Sequence, residues 1–312
     1  EQGILLGENC YNSIVVGNNI TANLGAGLTV ISDEYYGGVT GNVIVDNIIM
    51  ANHVGILMRG MVFNNTIVGN NIVNNSDAIA LIKPPEFSPF NNSIYHNNFI
   101  NNGVYMESST FNVWDNGYPL GGNYWSDYSG TDLFSGPYQN ETGSDGIGDT
   151  PYIIGVNNTD RYPLMSPFGG LTSEGQNVTA YPSSDVCLIF ENVTQEGSTT
   201  VSITDDGPEP PSGFKLAEKY YDIETTANYT GKIKIRIIYD DTNMTTAEEM
   251  NLRLMQWNET SNEWVDITTM LDMENNVIYG ETTHLSIFAL TTVKLTPSGG
   301  FIKWKTLSIM TR

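Results

Sequence analysis

The residues of this chain best suited to chemistry are oxygen donors. In "SDGIGDT", Ser144 to Thr150, two aspartates stand four positions apart with glycines between them. A hard cation needs several oxygens converging on one point, and glycines let the backbone turn tightly around it. Asp132, Asp145 and Asp149, with the backbone carbonyl of Ile147, form the candidate ligand set for one calcium ion. The same string also reads as a solvated turn that uses Asp and Gly for conformation alone, and it lacks the spacing of an EF-hand loop. Catalytic groups are harder to assemble. Asp33, Glu34, Asp46, Arg59, Asp77, Lys83 and Glu86 are scattered over the first third of the chain without a paired-carboxylate motif. There is no G-x-S-x-G, no H-E-x-x-H and no phosphate-binding glycine loop. The expectation is a protein that is not an enzyme.

Composition narrows the partners. The chain has 312 residues, with 35 Asp and Glu against 13 Lys and Arg, and a net charge of −22. A field of that sign repels phosphate backbones and anionic lipid, so nucleic acid is excluded as a partner. No apolar run reaches the roughly 18 residues of a membrane span, and the first residues lack the basic and apolar regions of a signal peptide. The chain reads as a mature or excised one. Glycosylation sequons begin at Asn19, Asn64, Asn74, Asn91, Asn140, Asn157, Asn177, Asn192, Asn228, Asn243 and Asn258. Their spread over both halves suggests a glycosylated, extracellular surface. Cys10 and Cys187 allow one disulfide at most, within or between subunits, or stay as two free thiols.

What must position these residues is a repeat. "SIVVGNNI" ending at Ile20, "NVIVDNII" at Ile49, "NTIVGNNI" at Ile72 and "NSIYHNNF" at Phe99 superpose, and each is followed by a second apolar stretch: "GLTVI", "VGILM", "DAIALI" and "NGVYM". Short strands at an irregular spacing of 29, 23 and 27 residues, with no helical pattern between them, define a parallel β-helix. Asparagine has two uses there. It tolerates the left-handed backbone of a corner, and stacked about 4.8 Å apart its amides form hydrogen-bonded ladders.

"NNTIVGNNI" and "NNSIYHNNFINN" resemble the NosD-like right-handed β-helix family, part of a broader group of carbohydrate-binding proteins and sugar hydrolases. "DNGYPLGGNYWSDYSGTD", "SDGIGDTPYII" and "NNTDRYPLMSPF" resemble the capping segment of β-helix surface proteins common in methanogenic archaea. The resemblance covers Glu1 to about Phe168 and implies an envelope architecture without fixing a reaction. Related caps carry a denser run of aspartates where this chain has "LFSGPYQNETG", which removes ligands from the calcium set. The family's copper-related name directs attention to Met50, His53, Met58 and Met61, whose thioethers and imidazole suit copper(I); methionine among Ile and Leu is more often core filling. His96 sits in a repeat position and His284 lies in the second half. An aromatic lid of Trp114, Tyr118, Tyr124, Trp125 and Tyr128 is expected to close the last coil, which would otherwise expose its core.

Beyond Leu171 the texture changes to longer alternating strands, among them "GKIKIRIIYD" and "LSIFALTTV", separated by turns. This stretch resembles accessory sandwich domains of surface proteins. The resulting expectation is all-β: a short right-handed parallel β-helix over residues 1–112, an aromatic cap over 113–170, an antiparallel β-sandwich over 171–294 and a basic tail over 295–312. The expected role is that of a non-catalytic envelope protein forming or decorating a surface layer, sheath or filament by head-to-tail self-association, with envelope glycans as a further partner. The alternatives are a polysaccharide lyase or hydrolase, or a glycan-binding adhesin, using the β-helix face.

Overall fold

A five-residue unit builds the first half of the chain: one left-handed residue, one ladder residue, then a three-residue strand whose middle side chain points inward. In the computed structural model, which describes residues 2–32, 37–82, 87–106 and 110–294, this unit recurs coil after coil. Left-handed backbone occurs at Asn64 (φ 54°) and Gly69 (φ 68°), immediately before the ladder residues Asn65 and Asn70. Asp46, Ala51, His96 and Asn101 take the same conformation in neighbouring coils. A left-handed L-residue costs roughly 1–2 kcal/mol, so a corner at Ala51 is held by its surroundings and not by preference.

The middle residues are the core. Ile44, Ile49, Ile67, Ile72 and Ile94 are fully buried, and Val15, Ile20 and Phe99 nearly so. The parallel register pairs Ile20 with Ile49, Ile49 with Ile72, and Ile72 with Phe99. That is the alignment read from the four sequence segments. The strands stack into parallel sheets of four and five strands, and a third parallel sheet contains Ala26–Ile31, Val54–Arg59, Asp77–Ile82 and Gly103–Met106.

Three asparagine ladders run along the corners. One passes through Asn18, Asn47, Asn70, Asn97 and Asn123. A second passes through Asn42, Asn65, Asn92 and Asn112, and a third through Asn23, Asn52, Asn75 and Asn102. Asn70 shows the pattern. Its Nδ2 donates to Oδ1 of Asn97 (2.9 Å) and to the carbonyls of Ile44 (2.9 Å) and Val68 (3.0 Å). Its Oδ1 accepts the backbone N–H (3.0 Å) and the amide (2.9 Å) of Asn47. A fully buried amide is thereby satisfied on both sides, which is the condition for keeping a polar group in a core.

The cap closes the ladders as well as the apolar interior. Trp125 stacks between Phe99 and Tyr152, each at 4.3 Å between ring centroids, with Trp114 tilted beside it. Trp114, Trp125 and Tyr128 pack on the solenoid core as expected. Tyr118 and Tyr124 do not: Tyr124 packs with Tyr181, Cys187 and Ile189 of the second half, and the Tyr118 hydroxyl lies 3.4 Å from that of Tyr279. Phe99 and Tyr152 take their places because they continue the coil stack.

Residues from Leu171 form two antiparallel sheets of six and five strands. Phe190, Ile235, Leu254 and Phe288 lie fully buried between them. In "KIKIRII" Ile233, Ile235 and Ile237 face this core while Lys232 and Lys234 face solvent. Arg236 breaks the alternation expected of that strand: it lies on the outer face yet is only 5% exposed, because the cap covers it. Asp33, Glu34, Lys83, Glu86 and the tail 295–312 lie outside the described residues.

Candidate functional site

The proposed calcium turn is assembled, but as a backbone clasp. Asp132 accepts the N–H groups of Asp145 (3.0 Å) and Gly146 (2.9 Å). Asp145 accepts from Ile147 N–H (2.9 Å) through Oδ1 and from Gln139 Nε2 (3.1 Å) through Oδ2. Asp149 accepts from the Thr131 hydroxyl (2.9 Å) and from the N–H groups of Leu133 and Phe134, both 3.0 Å. The side chain of Ile147 is fully buried. A cation site aims carboxylate oxygens at one point; here each aspartate is aimed at backbone donors. Among the described residues no group of three or more His, Cys, Asp or Glu comes together to hold a metal. The calcium expectation is corrected accordingly, and the solvated-turn alternative is also too weak, since Asp145 is buried.

Burial shapes the titration of this clasp. Desolvation, reinforced by the charge of Asp145, pushes the Asp132 carboxyl up to about 7. Desolvation raises Asp145 too, against the attraction of Arg236. Arg236 is the cation of the cap–sandwich junction, where its Nε and Nη1 find no hydrogen-bond partner. Cys187 lies beside it in register, and burial pushes that thiol up to about 12. Both cysteines are free. Cys10 sits in the first coil, with Sγ 3.3 Å from the Ser13 hydroxyl, whereas Cys187 faces the Asp145 carbonyl inside the junction. The disulfide expectation therefore fails within the chain, and burial takes Cys187 out of reach of a partner's thiol.

The sequons divide by geometry. Asn64, Asn74, Asn91, Asn157 and Asn177 are exposed left-handed residues. Asn19, Asn140, Asn228 and Asn243 are exposed elsewhere. Asn192 and Asn258 are half-buried, and Asn258 Oδ1 is occupied by the N–H groups of Thr260 and Ser261. Of the acid–base candidates, Arg59 and Asp77 stand at opposite ends of paired strands, since Asp77 opposes Val54 and Ile82 opposes Arg59. Asp46 occupies a corner. The described candidates do not form a cluster.

Sequence reasoning missed the ends of the ladders. Asn158 Oδ1 accepts from Asn112 N–H (3.1 Å) and Trp114 Nε1 (2.9 Å). Asp160 accepts from Asn123 N–H (2.7 Å), Trp125 Nε1 (2.9 Å) and Tyr162 N–H (3.1 Å). Asp160 is fully buried, and desolvation pushes it up to about 7. A signal for the first was present: "NNT" at Asn157 repeats the corner-plus-ladder string of the coils.

Fold and ladders together define a parallel β-solenoid closed by its own cap. Residues 1–130 match the family model described as periplasmic copper-binding protein (NosD), so this portion of the chain is similar to that family. No curated protein and no solved structure matches the chain. The copper named in that description was tested against the residues present. Met58 is fully buried in the core, Met50 is 37% exposed on the outer side of its strand, and His53 is exposed. His96 lies under the Phe168 ring, stacked at 4.4 Å, with Nε2 3.0 Å from the Leu120 carbonyl. Met58 thus lies inside the solenoid while Met50 and His53 lie outside it and Met61 is half-buried, so the four are not gathered into one copper site.

Proposed function

We propose that the protein is a non-catalytic architectural component of the cell exterior, glycosylated at exposed corners and self-associating through its first coil. The observation that carries this reading is the set of apolar side chains exposed on the outer face of the first coil. At the cap end Asn158 and Asp160 satisfy the last rungs. At the other end Ile4–Leu6, Ile14–Val16 and Asn19–Thr21 are edge strands of their sheets. Leu5 (56%), Ile14 (66%) and Val16 (56%) are exposed on them. Apolar side chains exposed together mark a surface for protein–protein contact. A contact between this coil and a different surface of another copy is heterologous, and such contacts propagate into filaments when the rotation does not close.

No helix among the described residues is long and apolar enough to cross a membrane. An exported location is consistent with the periplasmic family matched by residues 1–130. Electron microscopy and light scattering of the purified chain test the proposal. Concentration-dependent oligomers or filaments are expected, and Leu5→Lys with Val16→Lys should dissolve them by charging the edge. Monodisperse monomers at high concentration would end the idea.

A further inference from the structure

Two strands of the second half face each other across the sandwich: Arg253–Asn258 belongs to the six-stranded sheet and Val277–Thr282 to the five-stranded one. Side chains alternate along each, so Leu254 and Gln256 point inward from the first, and Ile278, Gly280 and Thr282 from the second. Leu254 and Ile278 are fully buried in the core, and Gln256 and Thr282 are 3% and 7% exposed. A Cβ at Gly280 would lie 2.8 Å from Leu254 Cδ2 and 2.9 Å from Ile267 Cδ1, so glycine there lets the sheets approach closely. One step further along both strands, Thr282 Oγ1 donates to Gln256 Oε1 at 2.7 Å and has the His284 carbonyl as a second acceptor at 3.1 Å. Gln256 Nε2 donates to the same carbonyl (2.8 Å) and to Ser286 Oγ (3.2 Å), so the amide is held at both ends. With a C=O bond of about 1.23 Å, that contact puts Oγ1 about 3–4 Å from the amide carbon, which overlaps the separation of reacting atoms in a near-attack pair. Ser286 and the exposed His284 also line a cavity of about 500 Å³ together with Asp222, Glu224 and Glu259.

We propose that Thr282 and Gln256 join as an intramolecular ester that ties the two sheets of the sandwich together. When the hydroxyl turns its proton to the His284 carbonyl, an oxygen lone pair is free to face Cδ. The Oγ1–Cδ bond forms and the Cδ–Nε2 bond breaks. The hydroxyl proton passes to Nε2, and the nitrogen leaves as ammonia, so no oxidant, reductant or second substrate is needed. Three features of the site favour the step. Three hydrogen bonds fix the amide against its nucleophile, which turns an ordinarily slow attack into an oriented intramolecular one. Burial of both side chains keeps water from the product ester. Nε2 faces Ser286 and hence the cavity, which gives ammonia a way out, with His284 and Glu259 at hand to relay the proton. The crosslink lies in the second half of the chain and depends on neither the first coil nor the sequons.

Intact mass spectrometry of the full chain, produced in a host without N-glycosylation and checked for folding by its melting curve, tests the proposal. A mass about 17 Da below that of the sequence is expected, the loss of one ammonia on acyl transfer to the hydroxyl. Thr282→Val, which keeps the side-chain shape, and Gln256→Leu should each show the full mass of their own sequences. Trypsin combined with a protease that cuts before aspartate releases peptides 254–265 and 272–294. These should travel joined in the parent, part on mild alkaline hydrolysis, and run separately in Thr282→Val. The joined pair also separates the ester from a succinimide at Asn102–Gly103, which would lose the same mass elsewhere in the chain. A folded parent at its full sequence mass overturns the proposal. So does a loss that persists in Thr282→Val, or a parent whose two peptides run apart before alkali.

Discussion

Replacing Asn70 by leucine tests whether the ladders hold the solenoid together. The side chains share heavy-atom count and branching, so the change removes the polar chemistry while keeping the branched shape, although leucine is the bulkier of the two. Asn70 Oδ1 is the acceptor for both the backbone N–H and the amide of Asn47, and all three groups are buried. Each buried donor left without a partner costs about 1–3 kcal/mol. The Asn47 amide keeps the carbonyls of Val15 and Val45, both at 2.9 Å, so the stranded donor is the Asn47 N–H, at roughly 1–3 kcal/mol, before the carbonyls of Ile44 and Val68, which also lose donors, are considered. Leucine returns about 1–2 kcal/mol through its larger apolar surface. A net loss of about 1–3 kcal/mol is expected once the two carbonyls are included, a sizeable fraction of a typical 5–15 kcal/mol total. Asn18 is the control, because it starts the same ladder and its amide only donates, to Asn47 Oδ1 and the Val16 carbonyl. Asn18→Leu strands no ladder donor and should stay within about 0.5 kcal/mol. Urea unfolding would be followed by the fluorescence of Trp114 and Trp125, both buried at the cap, with Trp257, Trp264 and Trp304 replaced by phenylalanine. Equal effects at Asn18 and Asn70, or a loss below about 1 kcal/mol at Asn70, would refute the ladder as a stabilising device.

Two further outcomes follow from the cap. Burial lifts the folded-state pKa of Asp160 from 3.8 to about 7, so the native state holds a proton that the unfolded chain has released. The stability this supplies is complete below about pH 4 and is lost as pH rises through about 7; Asp132 acts in the same direction. The melting temperature should fall between pH 5 and pH 8, less steeply in Asp160→Asn, and a flat or rising profile would contradict the assignment. A chelator should leave the melting curve unmoved, whereas Asp149→Ala should lower it with or without chelator by freeing the N–H groups of Leu133 and Phe134; a chelator-sensitive parent would restore the cation reading.

The coils were legible because their signal is local. A left-handed corner, a ladder asparagine and an apolar middle residue fall within five positions, so Ile20, Ile49, Ile72 and Phe99 could be aligned by eye before any register was seen. The same local rule also writes the sequons of the coils. At Asn64, Asn74 and Asn91 the first asparagine takes the corner, the second enters the ladder, and Thr66, Ser76 or Ser93 follows at or beside the next strand. These strings are required by the fold whether or not a glycan is attached, so their number alone is weak support for glycosylation. What stayed hidden was non-local. Nothing near Arg236 in sequence distinguishes it from Lys232 and Lys234; only the cap, about ninety residues earlier, buries it. Tyr118 and Tyr124 read as lid residues for the same reason, since an aromatic side chain does not announce which of two neighbouring cores it enters. The aspartate turn is the sharpest case. Asp, Gly and spacing are what a cation loop needs, and also what a backbone clasp needs. The two are told apart only by where the oxygens point, and at Asp132, Asp145 and Asp149 they point at N–H groups.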